Sequence, residues 1–155
     1  MRKSADSQLY LEIREHTRPA QSLAAIGLDD ASLLDALAQF DLYGAWRLDL
    51  ETGMVFWTPD VFEIHGLPYR EGPVDLGQAI ARYHPEDREM VANCIEEAAT
   101  RKSGFRFVLR LTTPDGRSKL VKSSGRYRVN KQGGEEIYGT FSQFQERIRT
   151  VAVNS

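Results

Sequence analysis

Residues able to do chemistry are few in this chain. It carries one cysteine and three histidines. A lone cysteine excludes an intrachain disulfide and a thiolate metal cluster. Cys94 falls within the stripe Met90, Val91, Cys94, Ile95, Ala98. That spacing is one apolar helix face, so the thiol is expected to act as a small hydrophobe. His16, His65 and His84 are too scattered for metal-ligand spacing. His65 follows a short helical run and is the best placed of the three for an axial haem ligand, set against a local capping or surface role. His84 stands at a helix start, where an imidazole can satisfy backbone groups. Most carboxylates fall in turns or on wet helix faces. Asp49 and Asp87 are the exceptions, placed to accept backbone hydrogen bonds at a turn and at a helix start. A general acid or base must be aimed into a pocket, and no Ser/His/Asp grouping assembles from these residues.

The elements that must position any site centre on residues 104–144. Phe105, Phe107, Leu109 and Leu111 alternate with Arg106 and Arg110, which is strand spacing. Further strands are expected near 118–129 and 135–144. Pro114-Asp115-Gly116 and Lys131-Gln132-Gly133-Gly134 supply turn chemistry between them. Upstream, 45–50 and 54–57 read as a hairpin closed by Glu51-Thr52-Gly53. Thr58-Pro59 opens a short helix, with the threonine as cap and proline at its first position. Residues 75–83 read as another. His84-Pro85-Glu86-Asp87 is expected to open the longest helix, its two acids at the positive end. Asp29 is a plausible N-cap for a helix bearing Leu33, Leu34, Leu37 and Phe40, with Leu28 and Leu33 as a hydrophobic staple. In the leader, Leu9, Leu11 and Ile13 suggest a short helix through Glu15, with fraying at 1–6.

The fold class that follows is α+β: a five-stranded antiparallel sheet, the hairpin set beside the meander, with short helices and one longer helix on one face. The chain divides into a leader (1–27), one domain (28–147) and a tail (148–155). With 155 residues, 20 basic and 22 acidic, the net charge is −2. Such a balance gives no general attraction to nucleic acid or an acidic membrane. No apolar run approaches the roughly 20 residues of a membrane helix. The N-terminus lacks the apolar core of a signal peptide, so cytoplasm is the default location.

The ordered series of short motifs resembles a PAS domain, of the variant common in bacterial multi-sensor proteins. Gly44-Ala45-Trp46-Arg47-Leu48-Asp49 looks like its opening strand. Phe56-Trp57-Thr58-Pro59 followed by Phe62-Glu63-Ile64-His65-Gly66-Leu67 looks like its second strand and first helix. His84-Pro85-Glu86-Asp87-Arg88 matches its HPxDR signature. Phe107–Leu111 with Asp115-Gly116, then Ile137-Tyr138-Gly139-Thr140, look like its later strands. The likeness spans about 30–147. It departs at Leu120-Val121, where members often carry Trp-Val or Trp-Leu, and at Ser142-Gln143-Phe144, where many members carry an Asp-Ile/Val-Thr link to a following helix. The resemblance implies sensing or protein–protein contact, not a particular ligand.

Haem and flavin are disfavoured as cofactors, and the cofactor stays unknown. Asn93-Cys94-Ile95 is only superficially like the Asn-Cys-Arg of light-sensing relatives and lies too late in the chain. A pocket between helices and sheet would be lined by Phe56, Phe62, Leu67, Ile80, Tyr83, Met90, Cys94, Phe107, Leu109, Val121 and Tyr138, residues that a filled core needs equally. A small ligand there is one way to gate the domain. The expected partner is a second copy or a separate signalling protein, since the chain ends before any output domain. The expected contact surface is Leu33, Leu34, Leu37 and Phe40 of the first helix with Val108 and Leu120 of the outer sheet face. The alternative is a small pocket-containing α+β enzyme of isomerase or hydratase type, which an inward carboxylate or histidine of strongly shifted pKa would favour.

Overall fold

The structure, a computed structural model, describes residues 10–14, 18–145, 149 and 151–153, the first segment as backbone only. His16 and the expected fraying at 1–6 lie outside the described residues. In chain order the elements are β1 (Tyr10–Arg14), a 3-10 turn (Ala24–Ile26), α1 (Asp30–Leu37), β2 (Tyr43–Asp49), β3 (Met54–Trp57), α2 (Pro59–Ile64), β4 (Val74–Asp75), α3 (Leu76–Ala81), α4 (Arg88–Arg101), β5 (Gly104–Thr112), β6 (Ser118–Val129) and β7 (Glu135–Gln143).

The strands form one antiparallel sheet in the order β1-β5-β6-β7-β2-β3-β4. The first hairpin does close against the meander, through seven register pairs from Tyr43↔Ser142 to Asp49↔Glu136. The α+β class is therefore as read, but the sheet has seven strands rather than five. One of the two additions is the two-residue β4, too short to carry a period. The other corrects the leader, where residues 10–14 are a strand, not a helix. Leu11 and Ile13 are two apart, which is strand spacing, and the β5 edge offers unpaired backbone groups that β1 satisfies from Tyr10↔Val108 to Arg14↔Gly104.

Beyond Val108 the same β5 edge is taken over by residues 82–87. His84 N–H donates to the Arg110 carbonyl, Thr112 N–H to that of Arg82, and Arg110 N–H to Asp87 Oδ2 at 2.9 Å. This use of Asp87 explains why the long helix begins later than the acids suggest. Pro85, Glu86 and Asp87 form a turn before it, and Asp87 makes no cap with its side chain. Arg88 fixes the turn by donating to the carbonyls of Tyr83 and Ala81. Thr58 is corrected similarly. Its residue stands at the N-cap of α2, with Pro59 next, but its Oγ1 accepts from Ala45 N–H, while Asp60 Oδ2 accepts from Tyr43 N–H. Both side chains tie α2 to β2. Asp29 does cap α1, accepting from Ser32 N–H at 2.8 Å. The Leu28–Leu33 staple does not bury either leucine; both stay exposed.

Helices α2, α3 and α4 cover the inner sheet face. The core joins Leu48, Val55, Ile64, Val91, Cys94 and Ala98 to Phe105, Phe107, Leu109, Leu111, Val121, Ile137 and Phe141. Gly125 and Gly139 are paired across β6 and β7 beneath the Trp46 indole. A Cβ on Gly125 would meet the Phe105 ring at 2.6 Å and Trp46 at 2.9 Å. Glycine there is required for these two rings to stack, at 6.2 Å between centroids.

Candidate functional site

The space between helices and sheet is a cavity of about 60 Å³. That holds a few waters and falls well short of the roughly 300–1,000 Å³ of small-molecule sites. Its walls include Trp46, Trp57, His65, Phe105, Ser123 and Phe141. Of the residues expected to line a pocket, only Ile80, Tyr83 and Phe107 do so. Phe62, Cys94, Leu109 and Val121 are buried elsewhere in the interior, and Met90 is half-buried against the core. Leu67 is half-buried in the loop after α2. Phe56 and Tyr138 project from the opposite side of the sheet, beneath the guanidinium groups of Arg47 and Arg128.

Phe56 and Tyr138 were misplaced for one reason. Leu48 pairs with Val55 and with Ile137, which sends Trp57, Gly139 and Phe141 inward and Phe56 and Tyr138 outward. Choosing Phe56 over Trp57, or Tyr138 over Ile137, is a one-residue parity slip that reverses the face.

His65 stands at the C-cap of α2, the local capping place weighed for it, but its ring turns into the cavity wall. It is 2% exposed rather than at the surface. Its ring lies between Trp57 at 4.3 Å and Phe141 at 5.1 Å, stacked on both. Nδ1 is 2.7 Å from the Val61 carbonyl, which assigns the proton to Nδ1 and leaves Nε2 as an acceptor. Burial pushes its pKa down to about 4, against a smaller upward pull from the Val61 hydrogen bond. At neutral pH the imidazole is uncharged. Burial pushes the Cys94 thiol up to about 11, which makes it inert as a nucleophile. His84 Nδ1 accepts from Glu86 N–H at 3.1 Å, the backbone role expected of it.

The two singled-out aspartates serve the backbone. Asp49 Oδ1 accepts from Glu51 and Thr52 N–H in the hairpin turn. Asp87, 1% exposed, holds Arg110 through its backbone N–H, its Nε and its Nη2, the last at 2.7 Å. Burial raises the Asp87 carboxyl, but the Arg110 hydrogen bonds and charge outweigh it and hold the group below the usual carboxylate range. Among the described residues, no three His, Cys, Asp or Glu side chains are grouped to hold a metal ion.

The outer sheet face carries a second polar centre. Glu136, 2% exposed, sits between Arg128 Nε at 2.6 Å, Asn130 Nδ2 at 3.0 Å and Arg47 Nη1 at 3.6 Å. These side chains cover it from above, since β7 lies between the strands that carry the arginines. Farther along the face, Leu37 of α1 and Lys122, Ser142 and Phe144 line a groove of about 360 Å³. Leu33, Leu37, Phe40 and Leu120 are exposed, while Leu34 and Val108 are half-buried. No helix of the described residues is long and apolar enough to cross a membrane.

Known proteins share this architecture. The N-terminal domain of a diguanylate cyclase with a PAS/PAC sensor from Marinobacter aquaeolei superposes with a TM-score of 0.58 at 18% identity, over 65% of this chain and 94% of that one. A sensory box histidine kinase/response regulator from Burkholderia thailandensis gives 0.59 at 19%, over 74% and 84%. The PAS domain of a protein from Colwellia psychrerythraea gives 0.55 at 14%, over 77% and 100%. Among curated proteins none matches the sequence. At these identities the solved structures speak for the fold alone. The sequence itself matches the family model of the PAS fold over residues 54–141, more than half of its length, and the chain belongs to that family.

Proposed function

We propose that this PAS-fold chain is a non-catalytic sensory or regulatory module of the bacterial cytoplasm that works through protein contacts, first of all with a second copy of itself. The observation that carries the reading is the uncovered apolar surface where α1 meets the outer sheet face. Leu33, Leu37, Phe40, Leu120 and Phe144 are each 42–59% exposed. Leu37 and Phe144 share one groove, and Phe144 N–H donates to the Leu120 carbonyl, so these residues are neighbours in space. Helix α1 buries none of its own residues. An eight-residue helix is marginal in water without a surface to pack on. The domains of similar fold come from proteins named as a diguanylate cyclase and a sensory histidine kinase, which supports a signalling role.

Light scattering over a concentration series tests the reading. The wild-type chain is expected to be dimeric at about 100 µM, and Leu37→Asp to weaken the dimer about tenfold or more. Its circular dichroism should match the wild type, because Leu37 supports no core contact. A strictly monomeric wild type, or loss of sheet signal in the variant, contradicts the proposal.

His65 favours a second reading, in which the chain is a small enzyme with an inward base. It lines the cavity and its pKa is shifted by burial. That reading requires the cavity to open, and a bound small molecule in native mass spectra of freshly purified protein; a ligand-free spectrum counts against it.

A further inference from the structure

The outer sheet face holds a recess that shares no residue with the groove beside α1. Register sets Phe56, Arg47 and Tyr138 side by side across β3, β2 and β7. Two residues earlier in β2, Ala45 pairs with Thr140 on the same face and carries only a methyl group, so the surface drops there. Thr58 bounds the drop, its hydroxyl accepting from Ala45 N–H at 2.9 Å. The result is a cleft of about 350 Å³ lined by Ala45, Arg47, Phe56, Thr58, Arg128 and Tyr138. Unlike the interior cavity, it reaches the volume of small-molecule sites. Its cations are held in place. Arg47 lies 4.4 Å from the Phe56 ring centroid and Arg128 4.2 Å from that of Tyr138. Both also reach the buried Glu136, at 3.6 and 2.6 Å, and remain 40% and 50% exposed. Burial raises the Glu136 carboxyl, but hydrogen bonds from Asn130 and Arg128 and the charges of both arginines outweigh it and hold it below the usual carboxylate range. Asp49, the register partner of Glu136, lies on the other side of Arg47 from Ala45, so the recess faces the cations rather than these anions.

We infer that this cleft binds a small aromatic carboxylate, its ring on the Ala45 floor against Phe56 and Tyr138 and its carboxylate on Arg47 and Arg128. The lining selects the class. Two guanidinium groups over one carboxylate leave a single positive charge uncompensated, which matches a monoanion. The rings and the Ala45 methyl give an apolar body a place to dry. Arginine receives a carboxylate through its fork of N–H donors and stacks its plane on aromatic surface. Because rings and Glu136 already fix both side chains, little freedom is lost when the ligand arrives. The site lies across the sheet from the interior cavity, and the inference stands independently of the dimer reading.

Calorimetric titration with three probes tests this: phenylacetate, its neutral analogue phenylacetamide, and acetate, which has the charge without the ring. Phenylacetate is expected to bind with a Kd of about 1 mM or below, and each of the other two about tenfold or more weakly. Arg47→Gln, in which Glu136 keeps Arg128 and Asn130, should weaken phenylacetate about tenfold and leave phenylacetamide unchanged. Ala45→Val raises the floor without touching either ion pair and should weaken both aromatic probes. Thermal melts establish that each variant is folded, and Ala45→Val carries the test if Arg47→Gln is not. Several results overturn the inference. Absence of phenylacetate binding up to about 10 mM removes the site. Phenylacetamide binding as tightly as phenylacetate shows that the arginines select nothing, and acetate doing so shows that the ring is not read. Wild-type affinity for phenylacetate in either folded variant places the probe elsewhere, the interior cavity included.

Discussion

His65 is where burial and titration meet most sharply. The stack between Trp57 and Phe141 accepts a neutral ring, and protonation would place a charge among apolar groups. In the unfolded chain the imidazole titrates near its ordinary value; folded, it titrates at about 4. The folded state therefore disfavours the proton, and the stability it gains is complete above about 6.5 and is lost as pH falls from there towards 4. Between pH 7 and about 4.5 the loss is about 2.5 kcal/mol. His65→Phe keeps the stack, and the Val61 carbonyl still accepts from the backbone N–H of residue 65. Urea midpoints should show the variant losing less stability than wild type across that interval; equal losses would mean another group carries the acid sensitivity. This role was not legible in the sequence. A six-residue helix is too short for periodicity to say which residue beyond its end turns inward, and a histidine after it reads equally as a cap.

At the scale of elements, the join between α4 and β5 depends on one carboxylate. Asp87 replaces the missing strand partner of Arg110 and pairs with its guanidinium. Asp87→Ala leaves the half-buried Arg110 N–H unpaired and leaves the guanidinium, 39% exposed, with the exposed Glu86 as its remaining carboxylate. The expected cost is about 2–3 kcal/mol, read as a fall in Tm. By contrast Asp115→Ala, in the exposed Thr113–Arg117 turn, should cost under about 1 kcal/mol. Equal effects would show that the helix start holds without Asp87. The strands β2, β3, β5, β6 and β7 were all legible, because alternation and turn residues mark them locally. What alternation could not supply was parity where both neighbours are large and apolar enough for the core. Phe56-Trp57 and Ile137-Tyr138 fit either face, and only the register with Leu48 decides. The strand at 10–14 was hidden for another reason: its reason to exist is the β5 edge, some ninety residues away.

For the whole molecule, the interior and exterior point in one direction. The inner cavity is nearly filled by rings, while α1 and the outer face expose apolar side chains. The apolar spacing of α1 and the outward Val108 and Leu120 were readable from the sequence. The two arginines over Glu136 were not, since Arg47 and Arg128 are brought together only by the strand order β2-β7-β6. Hydrogen–deuterium exchange at two concentrations tests the central claim most directly. At about 100 µM the amides of α1 and of the outer-face strand ends near Leu120 and Phe144 should exchange more slowly than at about 1 µM, with the α2–α4 side unchanged. Identical exchange in α1 at both concentrations would contradict it.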